Sequence, residues 1–269
     1  ALQPMDDGVA FSYSQMWLRI DQGFSRQLRL YAHAPIVRAA LTRDGETAVE
    51  TTALGDVRAG VWIQPWRDHR AIGAVRIELK TPSGVEWPGS LQGGPGSRTS
   101  FLTGTGTTDL GLSGHGRVML GQHVSLKAVL GYVFTLPSVV GYVVEVDGYA
   151  NGWLNPGDVL SGRLEATVQA GSDVALTLGA TRTLVGAYQI GTSGTSVWKA
   201  DLAKIPNSSG QYWDLDARAS LELSEHLELA GFVSWQAAGS YTGVFSQLGL
   251  DQFSPLPGVT AGLDVVTRW

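Results

Sequence analysis

The sequence predicts an all-β fold: a single antiparallel transmembrane β-barrel of about twelve strands, with short periplasmic turns and long extracellular loops. Three observations predict it. Apolar and polar residues alternate at period two through most of the chain. The alternating segments run to about 10–13 residues, longer than the roughly 5–6 usual in globular sheets and matched to the roughly 9–11 that cross a bilayer core. The connections alternate between short and long, which puts every long loop at one end.

Taken in order, the N-terminal residues 1–8 read as a flexible segment of one domain covering 1–269. FSYSQMWLRI (11–20) follows as a strand whose parity slips, since Phe11 and Tyr13 disagree with Met16, Leu18 and Ile20; a bulge would explain the slip. In 24–43, Leu28, Leu30, Ala32 and Ala34 share a face, and Pro35 shifts the phase to Val37, Ala39 and Leu41. Pro35 must sit at an edge, a bulge or a turn. A turn there gives twelve strands and an unbroken strand gives eleven; the even counts of bacterial barrels favour twelve.

The later strands alternate more cleanly. Val57, Ala59, Val61 and Ile63 oppose Asp56, Arg58, Trp62 and Gln64, and Val75, Ile77 and Leu79 oppose Arg76, Glu78 and Lys80. Leu110, Leu112, Val118 and Leu120 oppose Asp109, Ser113, His115 and Arg117. The segments from 124, 160, 174, 211 and 227 repeat the pattern. Short turns fall at 66–70, 120–123, 169–173 and 223–226; long Gly- and Pro-rich loops fall at 82–104, 136–156, 186–210 and 238–257. Trp66, Tyr132, Phe134, Trp213, Trp235 and Trp269 lie near strand ends, where interfacial girdles sit.

Composition narrows the class. Charged residues make up 16% of the chain, less than the roughly 25% of soluble domains, yet mean hydropathy is only +0.04. No apolar run approaches the roughly 20 residues of a membrane helix. A net charge of −5 favours no nucleic-acid partner. Zero cysteines exclude disulfides, thiolate metal sites and a cysteine nucleophile. The same alternation could build a soluble β-sandwich or a lipocalin-like barrel, but those folds have no reason to place every long loop at one end.

Four stretches together resemble the outer-membrane family named for the meta-pathway of phenol degradation: TTALGDVRAGVW (51–62), AIGAVRIELKTPSG (71–84), GTGTTDLGLSGHGRVML (104–120) and NPGDVLSGRLEATV (155–168). Their order and spacing carry the resemblance, which covers roughly residues 50–269. It implies an outer-membrane barrel in a bacterial outer membrane that passes hydrophobic or aromatic compounds, with no cofactor and no catalytic residue. The matched Asp56, Lys80, Asp109 and Asp158 look structural, as loop-side anchors and lumen charges.

Parity places one charged constellation on the inward face: Arg58, Arg76, Glu78, Lys80, Asp109, Arg117, Lys127, Arg163, Glu165, Asp214, Asp216, Arg218, Glu222, Glu228, Asp264 and Arg268. These groups line a polar pore, or they fill a narrow lumen as a salt-bridge network. For any single residue the network is the better reading, because unpaired buried charge is costly. Asp214 and Asp216 could be an acid/base pair, but Arg218 beside them points to an ionised network. The five histidines show no metal-ligand spacing, so no metal is expected. GTGTT (104–108) lacks the lysine of a phosphate loop, leaving turn glycine.

The long loops at 136–156 and 240–257 are apolar and aromatic. Tyr142, Tyr149, Trp153, Tyr241, Phe245 and Phe253 could form an entry site for a small apolar ligand, lie on strands that extend above the membrane, or contact lipopolysaccharide or a partner. The final GLDVVTRW (262–269) alternates and stops on Trp269. That terminal aromatic resembles the signal by which the insertion machinery recognises outer-membrane barrels. Residues 258–269 are expected to pair with both the preceding strand and the first.

Overall fold

The computed structural model describes residues 2–5, 9–43, 46–84, 107–145, 148–155, 157–187, 189–191, 202–204, 209–225, 227–241 and 259–267. These build an all-β structure with no helix among them. One antiparallel sheet follows chain order through β1 (Leu2–Met5), β2 (Val9–Gly23), β3 (Leu28–Arg43), β4 (Glu46–Leu54), β5 (Val57–Arg67), β6 (Ala71–Thr81), β7 (Asp109–Met119) and β8 (Val124–Thr135). It continues through β11 (Val159–Ala170), β12 (Val174–Val185), β15 (Gly210–Ser224), β16 (Leu227–Tyr241) and β17 (Val259–Thr267). A second sheet, in the order β14 (Ala203–Lys204), β13 (Gln189–Gly191), β10 (Gly148–Asn155), β9 (Ser138–Glu145), joins the two long connections that flank β11 and β12. The sequence reads both as long loops, with strand extension as one alternative for 136–156. Hairpin pairing such as Tyr149↔Val144 makes them sheet.

The expected parity holds among the described side chains of β5 to β8, β11, β12 and β15 to β17, apart from bulges in the β5–β6 and β15–β16 pairings. Within β15, Trp213, Leu215, Ala217 and Ala219 are exposed, and Asp214, Asp216, Arg218 and Ser220 between them are half-buried. The distribution is the reverse of a water-soluble core. Among the described residues the buried apolar side chains are Tyr31, Val37, Ala74 and Ala230, while long aliphatics stand exposed on the other face: Leu130 at 62%, Leu164 at 68%, Leu178 at 66%, Leu263 at 78%. A contiguous apolar surface of that extent requires a non-aqueous surround. The polar face holds the buried Gln64, Lys80, Ser125, Thr135 and Thr183.

Three sequence expectations are corrected near the N-terminus. β3 runs unbroken through Pro35, with Pro35 opposite Trp17, so Pro35 marks no turn. Its phase does not shift either: Tyr31, Pro35 and Val37 are all buried while Leu28 and Leu30 are exposed, so Val37 shares the face of Tyr31. The irregularity lies in the neighbouring strand. β3 pairs β5 up to His33↔Arg58 and β4 from Ile36↔Leu54, so Ala34 and Pro35 face three residues, Gly55 to Val57. This is a bulge, and β4 and β5 together form one bent strand. Gly55 N donates to Pro35 O at 2.7 Å. The amide and carbonyl of a strand residue point to the same neighbour, so the donor that Pro35 lacks would have pointed at the bulge, where no ladder bond is lost. The bulge proposed in 11–20 is absent: β2 pairs β3 in one register from Val9↔Arg43 to Gly23↔Arg29.

The path still holds about twelve strands, counting β4 with β5. The twelfth is β1, formed within the segment read as flexible and paired Leu2↔Ser12 to Met5↔Val9. β17 pairs β16 from Leu227↔Thr267 to Trp235↔Val259. The second partner expected for it is not found among the described residues, where β1 and β17 are the two ends of the path. Alternation of direction along the path makes β2 and β17 run the same way, so β1 is the strand that can join them antiparallel.

Candidate functional site

The polar face carries three connected charge clusters. In the first, Glu78 is the hub. Its Oε1 accepts from Arg58 Nη1 at 3.3 Å, and its Oε2 accepts from the Tyr31 hydroxyl at 3.0 Å and from Arg76 Nη2. Arg76 Nε donates to the same Tyr31 hydroxyl, with the guanidinium 4.7 Å from the ring centre. Tyr31 reaches Glu78 across β5 because Gly60 lies between them; a Cβ there would stand 2.6 Å from Tyr31 Cζ. Gly60 thus acts as a floor for the tyrosine.

In the second cluster, Lys80 Nζ lies 2.5 Å from Asp109 Oδ2 and 3.7 Å from Asp56 Oδ2. Its ammonium also donates to Thr107 Oγ1 at 3.1 Å, and Thr107 donates to Asp109 at 2.9 Å. Asp56 Oδ1 accepts from Gly84 N at 3.2 Å. Three of the stretches that resemble the phenol-pathway family therefore meet at one buried lysine, where β5, β6 and β7 approach the long loops. The fourth does equivalent work nearby. Asp158 accepts from Thr135 N at 3.1 Å and from the Tyr132 hydroxyl, and Gly157, at φ 85°, takes the turn before it. The reading of Asp56, Lys80, Asp109 and Asp158 as anchors describes these contacts.

The third cluster spans β8 to β15. Glu165 holds Lys127 at 2.6 Å and Arg163 at 2.7 Å, and Arg163 Nη2 continues to Asp216 Oδ2 at 2.6 Å. Gly179 is the floor here: a Cβ would stand 2.7 Å from Asp216 Oδ2 and 3.0 Å from Arg163 Nη2. The expected partnership of Asp216 with Arg218 is corrected. Arg218 turns the other way, to Asp264 Oδ2 at 3.0 Å and Glu228 Oε1 at 3.5 Å. Residues two apart on a strand share a face, but Arg218 reaches past its register partner Phe232 instead, across β16 to Asp264 on β17.

Of the other predicted residues, Arg117 donates to Ser125 Oγ at 3.1 Å, Glu222 sits opposite Glu228, and Asp214 shares the face of Asp216. Arg268 and Trp269 lie outside the described residues. So do Phe245 and Phe253; Tyr142, Tyr149, Trp153 and Tyr241 lie in β9, β10 and β16 as backbone positions. The entry-site reading therefore stays an expectation.

Register adds residues that the sequence reading passed over. Arg19 and Asp21 on β2 pair with each other, and Arg29 sits opposite Trp62 on the polar face. Trp62 and His115 have ring centres 4.5 Å apart, Tyr31 and His33 5.0 Å. Ser113 Oγ lies 2.8 Å from His115 Nε2, but no carboxylate orients the other ring nitrogen, so no triad forms. No group of metal-ligating side chains occurs among the described residues.

The distribution of charge is uneven. On β2 to β8 the face carries Arg19, Arg29, Arg58, Arg67, Arg76, Lys80, Arg117 and Lys127 against Asp21, Asp56, Glu78 and Asp109. On β11 to β17 it carries Arg163 and Arg218 against Glu165, Asp214, Asp216, Glu222, Glu228 and Asp264. A depression of about 770 Å³ opens on the opposite, apolar face, between Trp66 and Trp213 over Gly73, Gly116 and Gly162.

This structure resembles that of the COG4313 outer membrane channel from Pseudomonas putida F1, with a TM-score of 0.64. The two share an all-β fold. The match covers 96% of this chain and 82% of that one at 12% sequence identity, so it speaks for the fold alone. No family model and no curated protein matches the sequence.

Proposed function

We propose that this protein is a bacterial outer-membrane channel for passive uptake of small hydrophobic or aromatic molecules. The observation that carries the channel reading is the inverted sheet: about twelve strands with an apolar, exposed face and a charged, hydrogen-bonded one, in the fold of a known channel. Wrapped into a barrel by β1 and β17, such a sheet puts its apolar face in lipid and its charges around a polar lumen. Membrane lipid and lipopolysaccharide then surround the wall, and the C-terminal strand addresses the insertion machinery. The aromatic substrate class rests on the motif resemblance and on the apolar long loops.

The experiment has two parts. Cysteine pairs placed across β1 and β17, in a chain with no cysteine of its own, should cross-link within one molecule. Purified protein in liposomes should speed entry of small aromatic solutes over protein-free vesicles; equal rates and no ionic current refute the channel. The density of ion pairs on the polar face favours one alternative, a barrel with a plugged lumen that displays loops or docks a partner protein, and absence of current in a cross-linked barrel would select it.

A further inference from the structure

The two parts of the polar face are oppositely charged. Among the described residues cations outnumber anions two to one on β2 to β8, and anions outnumber cations three to one on β11 to β17. The two excesses are equal in size, so the described residues together favour neither sign. They are also not fully cancelled locally. Among the described residues no carboxylate stands within ion-pair reach of Arg29 or Arg117, and no cation within that reach of Asp214. In a closed barrel the two arcs face each other across the lumen, and their fields add in the space between.

We infer that the lumen is electrically polarised across its width and, within the aromatic class proposed above, selects molecules that carry a positive and a negative group together. The inference rests on the channel reading. A zwitterion turns its carboxylate to the Arg29 and Arg117 side and its ammonium to the Asp214 side, and gains from both. A monovalent ion gains from one arc and loses to the other. An uncharged aromatic must displace water held by the field and gains nothing from either. The rings of Trp62 and His115, 4.5 Å apart, offer an aromatic surface on the cationic arc beside Arg29. An aromatic ring and the carboxylate attached to it can be held there together.

The test is a solute series in liposomes, corrected for protein-free vesicles: phenylalanine, 3-phenylpropanoate, phenethylamine and 3-phenylpropanamide. They share ring and chain and differ in charge. In the native protein phenylalanine should enter on the order of tenfold faster than the amide, the low end of what a focused field gives. The Arg29→Gln/Arg117→Gln variant should lose that advantage and pass phenethylamine ahead of 3-phenylpropanoate; Asp214→Asn should reverse the order of the two ions. Potassium chloride current in planar bilayers separates the two readings. Current with equal entry of phenylalanine and the amide overturns the inference and leaves the channel standing. Absence of both current and entry overturns the channel, and the inference with it. The native series needs no variant, so misfolding of a variant leaves the test intact.

Discussion

Replacing Lys80 by methionine tests the anchor that joins the three motif strands. Its side chain is 5% exposed, with Asp109 at 2.5 Å and Asp56 at 3.7 Å. At an effective dielectric of 20 those distances correspond to attractions of about 6–7 and about 4–5 kcal/mol before desolvation. The two carboxylates, each held by one ammonium, are no more than about 6 Å apart, and their repulsion without it is about 3 kcal/mol. Methionine fills the volume and supplies no charge, so Lys80→Met leaves two buried carboxylates facing each other. Desolvation already opposes the native cluster, so the expected loss is about 3–5 kcal/mol, the range for stripping one partner from a buried pair. Urea unfolding in detergent, read by tryptophan fluorescence, measures it; the band shift between folded and heat-unfolded protein on a gel gives a second readout. The triple variant Asp56→Asn/Lys80→Met/Asp109→Asn removes the repulsion between the two carboxylates and should recover at least half of the loss. A loss under about 1 kcal/mol for Lys80→Met, or a triple variant no better than the single one, refutes the argument.

Two further outcomes are expected. Gly179→Ala brings a Cβ to 2.7 Å from Asp216 and 3.0 Å from Arg163, and should cost about 1–3 kcal/mol of unfolding free energy, whereas Gly162→Ala, with open space around the added carbon, should cost under about 1. In the exposed turn at 68–70 the His69 ring, and then its amide, hold the Asp68 carboxyl below the ordinary aspartate range. A depressed carboxyl steadies the turn above its unfolded pKa and releases it as pH falls through the folded one. The His69 amide resonance should therefore show a step below the ordinary aspartate range, and Asp68→Asn should abolish that step.

The strands were legible because two environments impose one period. In 211–223 Leu215 and Leu221 stand on the exposed apolar side while polar neighbours hold Asp216 and Arg218 on the other, and no tertiary detail changes the parity. Of the three places the sequence offers Pro35, the structure uses the bulge and not the turn, and the phase shift fails because the extra residue lies in another segment, at Gly55 to Val57, twenty positions on, where nothing local to Pro35 reports it. The charged face was legible as a set but not as pairs. Arg163 reaches Asp216 across β12 only because Gly179 leaves the path open, and that depends on register and on a missing side chain together. Trp62 and Arg29 were passed over as site residues for the same reason, since what makes them neighbours is the alignment of β3 with β5.

The glycine floors bear on how the wall is assembled. Gly60 lies under Tyr31, Gly179 under the Arg163–Asp216 bridge and Gly262 under Phe232, where a Cβ would stand 2.6 Å from the ring. Each is a notch that receives a side chain from the adjacent strand. A strand that slips by one residue turns its whole set of side chains to the wrong face, and a slip by two keeps the faces but carries the notch away from its tenant. Alternation alone cannot detect the second error; a misplaced tyrosine, ion pair or phenylalanine can, because it collides with a neighbour that now has a side chain. The notches therefore act as alignment marks spaced around the sheet, checking each hairpin as it zips against the one before.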